Sequence, residues 1–215
     1  MKKQTLVASC LLIIAAVTFW ISWFLMPDPG TTDTNHILRI VKAVREFVWI
    51  SAITQIVSSA CYTIALFLIA DLFSPQKKTT LIGLALFGIG AMGMCADAFF
   101  HLLAYYMTDD SVLLQENVVI VMTFMQTKGV VILIPLMLPF FIGSILLGIG
   151  LRSQNAVSKL PMSLFLTATF VGIGTAIVAK QVFGYSGRIV SLSILGAFAF
   201  GQAWIGLELL RFKKD

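Results

Sequence analysis

Six long apolar runs constrain this chain more than any other feature of its sequence. They occupy residues 5–26, 47–73, 81–107, 118–151, 160–179 and 189–210. About 20 apolar residues are needed to cross the hydrocarbon core of a bilayer as a helix, and each run reaches that length. Backbone polar groups cannot stay unpaired in lipid, and the runs lack the alternation of barrel strands. We therefore predict an all-α polytopic bundle of six transmembrane helices.

The composition supports the same class of protein. Only 12 % of the 215 residues are charged and 59 % are hydrophobic, whereas about a quarter of a soluble domain is charged. This excludes a water-soluble enzyme, a disordered tail and a nucleic-acid-binding domain, despite the net charge of +5. The six runs leave no room for a second domain, so residues 1–215 are expected to form a single transmembrane domain.

The distribution of Lys and Arg predicts the orientation of the chain. Nine basic residues fall on the side of both termini and five on the other side, while Lys128 lies within the fourth run. Because basic residues are enriched in cytoplasmic loops, both termini are predicted to be cytoplasmic. The compact chain and the absence of eukaryotic targeting signals favour a bacterial inner membrane, where the protein would contact lipids directly.

The segment at about 27–46 is the one long loop on the outer side. Asp33 or Thr34 is suited to cap a helix whose two faces differ in polarity. The apolar positions are Ile37, Leu38, Ile40, Val41 and Val44, and the basic positions are Arg39, Lys42 and Arg45. This pattern favours an interfacial helix on lipid headgroups or an outward extension of the second span. A lid over a ligand site is the alternative.

Three ionisable residues at membrane depth mark a candidate site. Asp97 and His101 are four residues apart in the third run and share one helix face. Counted from the outer helix ends at 1.5 Å per residue, Asp97 and Lys128 lie about 15 and 16 Å deep. Because neighbouring helices pack side by side, the two are expected to meet. Their pair is either structural or the centre of an outward-facing pocket, since such residues are costly in lipid.

Polar residues at helical spacing on the second run extend the predicted pocket, together with Gln126 on the fourth. The pocket residues are Asp97, His101, Lys128, Gln55, Ser58, Tyr62 and Gln126. Interhelical hydrogen bonding alone would also account for the stripe on the second run. The sequence therefore predicts a membrane protein that binds or moves a small molecule, lipid or ion without covalent chemistry.

Metal ligation is the main alternative at this site. His36, His101 and Asp97 have the chemistry of a zinc site with an open position, as in an intramembrane metal-dependent enzyme. A second set suits Cu(I), namely Met92, Met94, Met122, Met125 and Cys95. Methionine is also a common packing residue, and no paired-histidine motif occurs. We predict no catalytic residue and no resident cofactor, with zinc or copper as the alternative.

Small residues recur at four-residue spacing in the last three runs. They are Ser144 and Gly148; Ala168, Gly172 and Ala176; and Ser193, Ala197 and Gly201. In lipid such stripes let helices approach closely. The stripes of the last two spans predict a contact surface for a second copy of the chain or for another membrane protein. A structural or regulatory subunit is therefore a further functional alternative.

Three segments carry a resemblance to a known family. They are the Gly143–Gly148 stretch with Ser158, Leu160 and Pro161 after it, the Gly-rich fifth span, and the ending from Gly201 to Leu210. With these the chain resembles an uncharacterised bacterial family of six-helix membrane proteins, a domain of unknown function. Gln202 occupies a position where that family tends to have an acidic residue. The resemblance implies the six-span topology and no activity.

Overall fold

The computed structural model describes residues 2–27, 33–73, 76–113, 117–183 and 187–212. These ranges contain helices and turns and no strand. Six of the described helices are long and apolar enough to span a membrane, which confirms the predicted all-helical, multi-pass class. Their bounds are Lys3–Leu25, Arg45–Leu72, Lys78–Met107, Asn117–Arg152, Leu160–Val182 and Arg188–Arg211.

Shorter helices accompany the spans. In chain order the elements are α1 (Lys2–Leu25), α2 (Thr34–Ala43), α3 (Arg45–Leu72), α4 (Lys78–Met107), α5 (Asp110–Leu113), α6 (Asn117–Phe124), a π-helical stretch (Met125–Gly129), α7 (Val130–Arg152), α8 (Leu160–Phe183) and α9 (Gly187–Arg211). The fourth span consists of α6, the π-helical stretch and α7. Residues 28–32 of the predicted outer loop lie outside the described ranges.

The spans pack as a ring in which sequence neighbours are not always spatial neighbours. α1 lies between α3 and α9, α3 lies between α1 and α4, and α4 packs along α7. α8 packs on α9, and α7 closes the ring through smaller contacts with α8 and α9. Each of these helices therefore has an inner face toward the ring and an outer face left for lipid.

Four aromatic side chains fill the centre of the ring. This central aromatic cluster consists of Phe19, Tyr62, Phe87 and Phe140, all of which are almost completely buried. Phe140 contacts the other three rings at centroid distances of 4.9 to 5.3 Å. Because aromatic residues contribute the largest apolar areas to a core, this cluster ties α1, α3, α4 and α7 together.

A buried hydrogen-bonded chain crosses the same region. The Tyr62 hydroxyl donates to Oε1 of Gln202. Nε2 of Gln202 donates to Oγ of Ser144 at 2.9 Å, and Ser144 donates to the carbonyl of Phe140. This chain links α3, α9 and α7. It also joins two of the segments that carry the predicted family resemblance. Ser144 belongs to the Gly143–Gly148 stretch, and Gln202 belongs to the ending from Gly201 to Leu210.

α4 and α7 approach each other backbone to backbone. A Cβ atom built on Gly90 would lie 2.1 Å from the backbone nitrogen of Phe140. A Cβ atom on Gly143 would lie 2.2 Å from the backbone nitrogen of Phe87. Only glycine fits at these positions, because any side chain would need the space of the neighbouring backbone. Glycines therefore permit the close approach of α4 and α7.

Small residues of the last two spans pack inside the chain. Gly172 of α8 faces the side chain of Ile194, and Gly201 of α9 faces the ring of Phe165. These contacts hold α8 against α9. The predicted contact with a second copy or another membrane protein stays a prediction.

The fourth span departs from α-helical geometry before its prolines. Its backbone forms a π-helical stretch at Met125–Gly129, where the N–H of Val130 bonds to the carbonyl of Met125. α7 then continues through Pro135 and Pro139. A π-helical turn inserts one extra residue, so it rotates the following side chains relative to a regular helix.

Contacts between helices distinguish the two ends of the bundle. Gln4 donates to Asp71 at 3.0 Å, and the rings of Phe73 and Phe212 lie 5.3 Å apart. We call this the terminal end, because residues near both chain termini lie there. At the opposite end, the α2 end, Arg188 donates to the carbonyl of Phe24 at 2.7 Å.

Candidate functional site

Asp97 and His101 lie on the inner face of α4, in the half of the bundle toward the α2 end. Their relative exposures are 7 % and 6 %. His101 Nε2 is 3.5 Å from Asp97 Oδ2, at the outer limit of hydrogen-bond distance. The predicted i, i+4 pair is therefore present, and it is buried.

Gln55 of α3 is the closest partner of Asp97. Its Nε2 donates to Asp97 Oδ2 at 2.8 Å and to the carbonyl of Met94 at 3.0 Å. Its Oε1 accepts from the hydroxyl of Ser22 at 2.9 Å. Both ends of the amide are thus occupied, which fixes its orientation. A neutral amide, not a basic side chain, holds the carboxylate.

Ser51 lies next to His101, which gives the site the three residue types of a hydrolase triad. Ser51 Oγ is 3.5 Å from His101 Nδ1 and donates to the carbonyl of Ser22 at 2.9 Å. Ser51 is completely buried and does not line the neighbouring cavity. Because the Ser51 hydroxyl donates to the carbonyl of Ser22, Ser51 lies against His101 as a buried, hydrogen-bonded neighbour.

A cavity of about 380 Å³ adjoins the pair. Its polar wall consists of Asp97, His101 and Gln126, and its remaining wall is apolar. The apolar lining residues are Trp23, Met26, Pro27, Ile37, Ile40, Val41, Phe100, Ala104, Met122, Met125, Val130, Leu133, Ile134 and Met137. Trp23 stands perpendicular to the His101 ring, with 6.3 Å between the centroids.

α2 forms the roof of this cavity. Ile37 and Val41 are buried and line it, so the apolar face of α2 packs on the bundle. Asp33 caps the helix by accepting from the backbone N–H groups of Asn35 and His36. Thr34 lies 3.2 Å from Thr123 of α6 through their hydroxyl groups. Residues of α2 therefore form part of the cavity wall, while the position of this helix at lipid headgroups stays a prediction.

Ion pairs connect the end of α2 and the start of α3 to the residues that follow α4. Lys42 lies 2.6 Å from Asp110, and Arg45 donates to Asp109 at 2.8 Å. Hydrogen bonds from Ser111 and the nearby Arg45 guanidinium lower the pKa of Asp109 below its usual value. Asp109 therefore keeps its charge, and its contact with Arg45 persists until the pH falls below the range of an ordinary aspartate.

The π-helical stretch shapes one wall. Met125 and Gln126 line the cavity, and Phe100 of α4 packs beside Gly129. A Cβ atom on Gly129 would lie 2.8 Å from the Phe100 ring. The irregular backbone and the missing side chain thus make room for Phe100, which fits the frequent occurrence of π-helical turns at functional sites.

Lys128 does not join this site, and the predicted meeting of Asp97 with Lys128 is wrong. In the described structure Lys128 is exposed, forms no ion pair with Asp97 and does not line the cavity. Its helical neighbours Phe124, Val131 and Ile132 are 63, 69 and 68 % exposed. The face that carries Lys128 is therefore the outer surface of the bundle.

Two further predicted pocket residues lie deeper in the bundle. Ser58 donates to the carbonyl of Ala15 at 2.7 Å, and Tyr62 donates to Gln202. Neither residue lines the cavity. The polar stripe of the second run is thus divided: Gln55 supports the site, while Ser58 and Tyr62 connect helices.

The predicted metal ligands do not gather. Within the described residues, no three His, Cys, Asp or Glu side chains are grouped so as to hold a metal ion. His36 is outside the cavity lining and its Nδ1 lies 3.1 Å from Arg39. Of the sulfur residues, Met122 and Met125 line the cavity, whereas Met92, Met94 and Cys95 do not.

A larger groove of about 530 Å³ lies between α1 and α9. Its described lining is apolar except for Trp20 and Ser193, so no ionisable group faces it. Of these two cavities, only the smaller has ionisable side chains in its described lining.

No protein-family model, curated protein or solved structure matches this chain. The resemblance to an uncharacterised six-helix family accordingly stays a prediction. The geometry of the site itself carries the functional argument that follows.

Sequence reasoning missed most of the site's support. Ser22, Trp23 and Met26 come from the end of α1, and Phe100 lies between the two predicted residues of α4. These residues carry no pattern of their own. An aromatic residue and a serine near the end of a span are common, so no sequence signal indicated their contact with the site.

Proposed function

We propose that this protein binds a small amphipathic molecule in the cavity beneath α2. Asp97 and His101 would hold the polar group of that molecule, and Trp23, Phe100 and the methionines would surround its apolar part. The observation that carries the proposal is a cavity of about 380 Å³ whose wall contains a buried carboxylate. An ionisable group at membrane depth is a functional candidate because its burial is costly.

The cavity has the character of a small-molecule site. Ligand pockets have volumes of about 300–1,000 Å³ and mostly apolar walls with a few polar groups for orientation. Here the polar groups are held by neighbours: Gln55 bonds to Asp97, and Ser51 lies against His101. Such support keeps recognition groups in place before a ligand arrives.

The membrane setting supports access from the outer side. Nine basic residues against five favour both termini in the cytoplasm, and we propose a bacterial inner membrane as the setting. In that orientation the α2 end faces outward, and α2 covers the entrance to the cavity. A ligand would then enter from the outer leaflet or the outer aqueous phase.

The test uses two rigid hydrocarbon cages as probes, 1-adamantanol and 1-adamantylamine. Binding is measured by saturation-transfer NMR on the full chain in lipid nanodiscs, with empty nanodiscs subtracted. Ala104→Phe places a ring in the cavity, because Ala104 lines it. Ala85→Phe is the matched control, since Ala85 is exposed on the same helix.

We expect at least one cage to bind the parent protein and the Ala85→Phe variant. Ala104→Phe is expected to weaken that binding at least about tenfold, because the ring occupies the ligand's volume. Absence of protein-dependent binding by both cages would overturn the proposal. Equal binding by the Ala104→Phe variant would do the same.

A further inference from the structure

The charges around the cavity are unbalanced. No Lys or Arg is among the described residues that line it, and Asp97 is the acidic residue of its wall. The basic residues of α2 and the start of α3 are engaged elsewhere: Arg39 with His36, Lys42 with Asp110, and Arg45 with Asp109. His101 is the cationic candidate beside Asp97, and its Nε2 remains 3.5 Å away.

The lining residues have two acceptors without donors, and one unpaired donor, the buried indole Nε1 of Trp23. Gln55 donates to Oδ2 of Asp97, while Oδ1 receives no hydrogen bond from the described residues. Gln126 uses its Nε2 on the sulfur of Met122 at 3.9 Å, and its amide oxygen is likewise unused. A ligand with N–H donors would satisfy these oxygens, whereas an anion would lie against Asp97 with no Lys or Arg among the described lining residues.

The apolar wall has groups that attract organic cations. Trp23 and Phe100 line the same cavity as Asp97, and the faces of aromatic rings attract ammonium groups. The methionine sulfurs add polarisable contacts for a hydrocarbon body. A bare inorganic cation would find few oxygen ligands here to replace its hydration shell, since hard cations require several.

Resting on the proposed function, we infer that the ligand is a lipophilic organic cation, an ammonium group carried on a compact hydrocarbon body. The ammonium donates to Oδ1 of Asp97 and to Oε1 of Gln126. The hydrocarbon body lies between Trp23, Phe100 and the methionines, under α2. The lining is mostly apolar, which strengthens the attraction between ammonium and carboxylate.

The two cages separate this inference from the proposed function. They share one shape, but at neutral pH 1-adamantylamine is a cation and 1-adamantanol is neutral. Asp97→Asn removes the charge of the carboxylate while it retains the size of the side chain. Asp71→Asn is the matched control, because Asp71 is exposed at the terminal end and bonds to Gln4.

We expect the parent protein to bind the amine at least about tenfold more tightly than the alcohol. Asp97→Asn is expected to remove that preference, and thermal unfolding of the variant in nanodiscs, compared with that of the parent, shows that it folds. Asp71→Asn is expected to change neither affinity. Equal affinity of the parent for both cages would overturn the inference while the proposed function stands. The inference is also overturned if the amine preference survives in Asp97→Asn, or if Ala104→Phe leaves amine binding unchanged.

Discussion

Two buried glutamines connect the helices of this bundle at the scale of single residues. Gln55 joins α3 to Ser22 of α1 and Asp97 of α4, and Gln202 joins α9 to Tyr62 and Ser144. A primary amide contains both a donor and an acceptor, so it satisfies two different partners without adding a charge. In a medium without water, this allows polar residues to be buried among apolar helices.

Gln202→Leu tests this role at the centre of the bundle. The substitution leaves the Tyr62 hydroxyl without its acceptor, and we expect it to destabilise the protein by about 1–3 kcal/mol. Adding Tyr62→Phe removes the unpaired hydroxyl, so the double variant is expected to be less destabilised than the sum of the single variants. Unfolding in a denaturing detergent measures these differences. Strictly additive effects would contradict the proposed coupling.

Asp97 and Lys128 show why depth alone is a poor guide to contact. Both residues were expected at similar depth on neighbouring spans, and α4 does pack along α7. Contact also requires that each helix presents the residue to the other. Asp97 is buried on the inner face, while Lys128 lies on the exposed face of the fourth span.

At the scale of elements, the contact between α4 and α7 depends on glycine. Gly83, Gly90 and Gly93 of α4 all lie where a Cβ atom would come within 2.4 Å of a backbone atom of α7. Close backbone approach increases van der Waals contact, which drives helix association in lipid. The cavity lies on the same pair of helices, so this contact also sets the spacing between its walls.

Gly90→Ala is expected to disrupt this contact, and Gly88→Ala is its matched control on the same helix. The added methyl group at Gly90 meets the backbone of Phe140, which cannot rotate away, so a loss of about 1–3 kcal/mol or more is expected. At Gly88 nothing lies within 4 Å, and alanine favours the helix. Thermal unfolding measures both variants. Equal stability of the two would show that the helices can separate at no cost.

The sequence pattern of α2 is compatible with several environments. An apolar face beside a basic face suits lipid headgroups as well as a protein surface. In the structure Ile37, Leu38 and Val41 are buried against the bundle, and ion pairs connect the end of α2 and the start of α3 to the residues that follow α4. The same pattern of apolar and basic residues therefore also suits a helix that covers a cavity.

At the scale of the whole molecule, the ring of spans gives the protein two unlike ends. The α2 end has the roof, the ion pairs and the cavity. The terminal end has the contacts of Gln4 with Asp71 and of the Ser158 backbone N–H with Glu208. If the terminal end faces the cytoplasm, the cavity lies toward the outside of the cell.

The orientation is testable with reporters joined to the C-terminus. Because basic residues favour the cytoplasmic side, a green fluorescent protein fusion is expected to fluoresce in bacterial cells, and an alkaline phosphatase fusion is expected to be inactive. Phosphatase fusions within the α2 end provide the control with the opposite expectation. An active phosphatase at the C-terminus would invert the orientation and direct the cavity toward the cytoplasm.

The sequence by itself determined the membrane class, the six spans and the shared helix face of Asp97 and His101. These properties depend on local composition and on helical period, which neighbouring residues set. Only the tertiary structure decided which residue contacts Asp97. It also decided that α2 forms the roof of the cavity and that Lys128 lies on the outer surface. The fourth run is apolar on nearly all sides, so its pattern does not indicate which face turns inward. Its π-helical stretch then changes the phase of the residues that follow. Packing against α4, which no single run encodes, settled that rotation and with it the composition of the site.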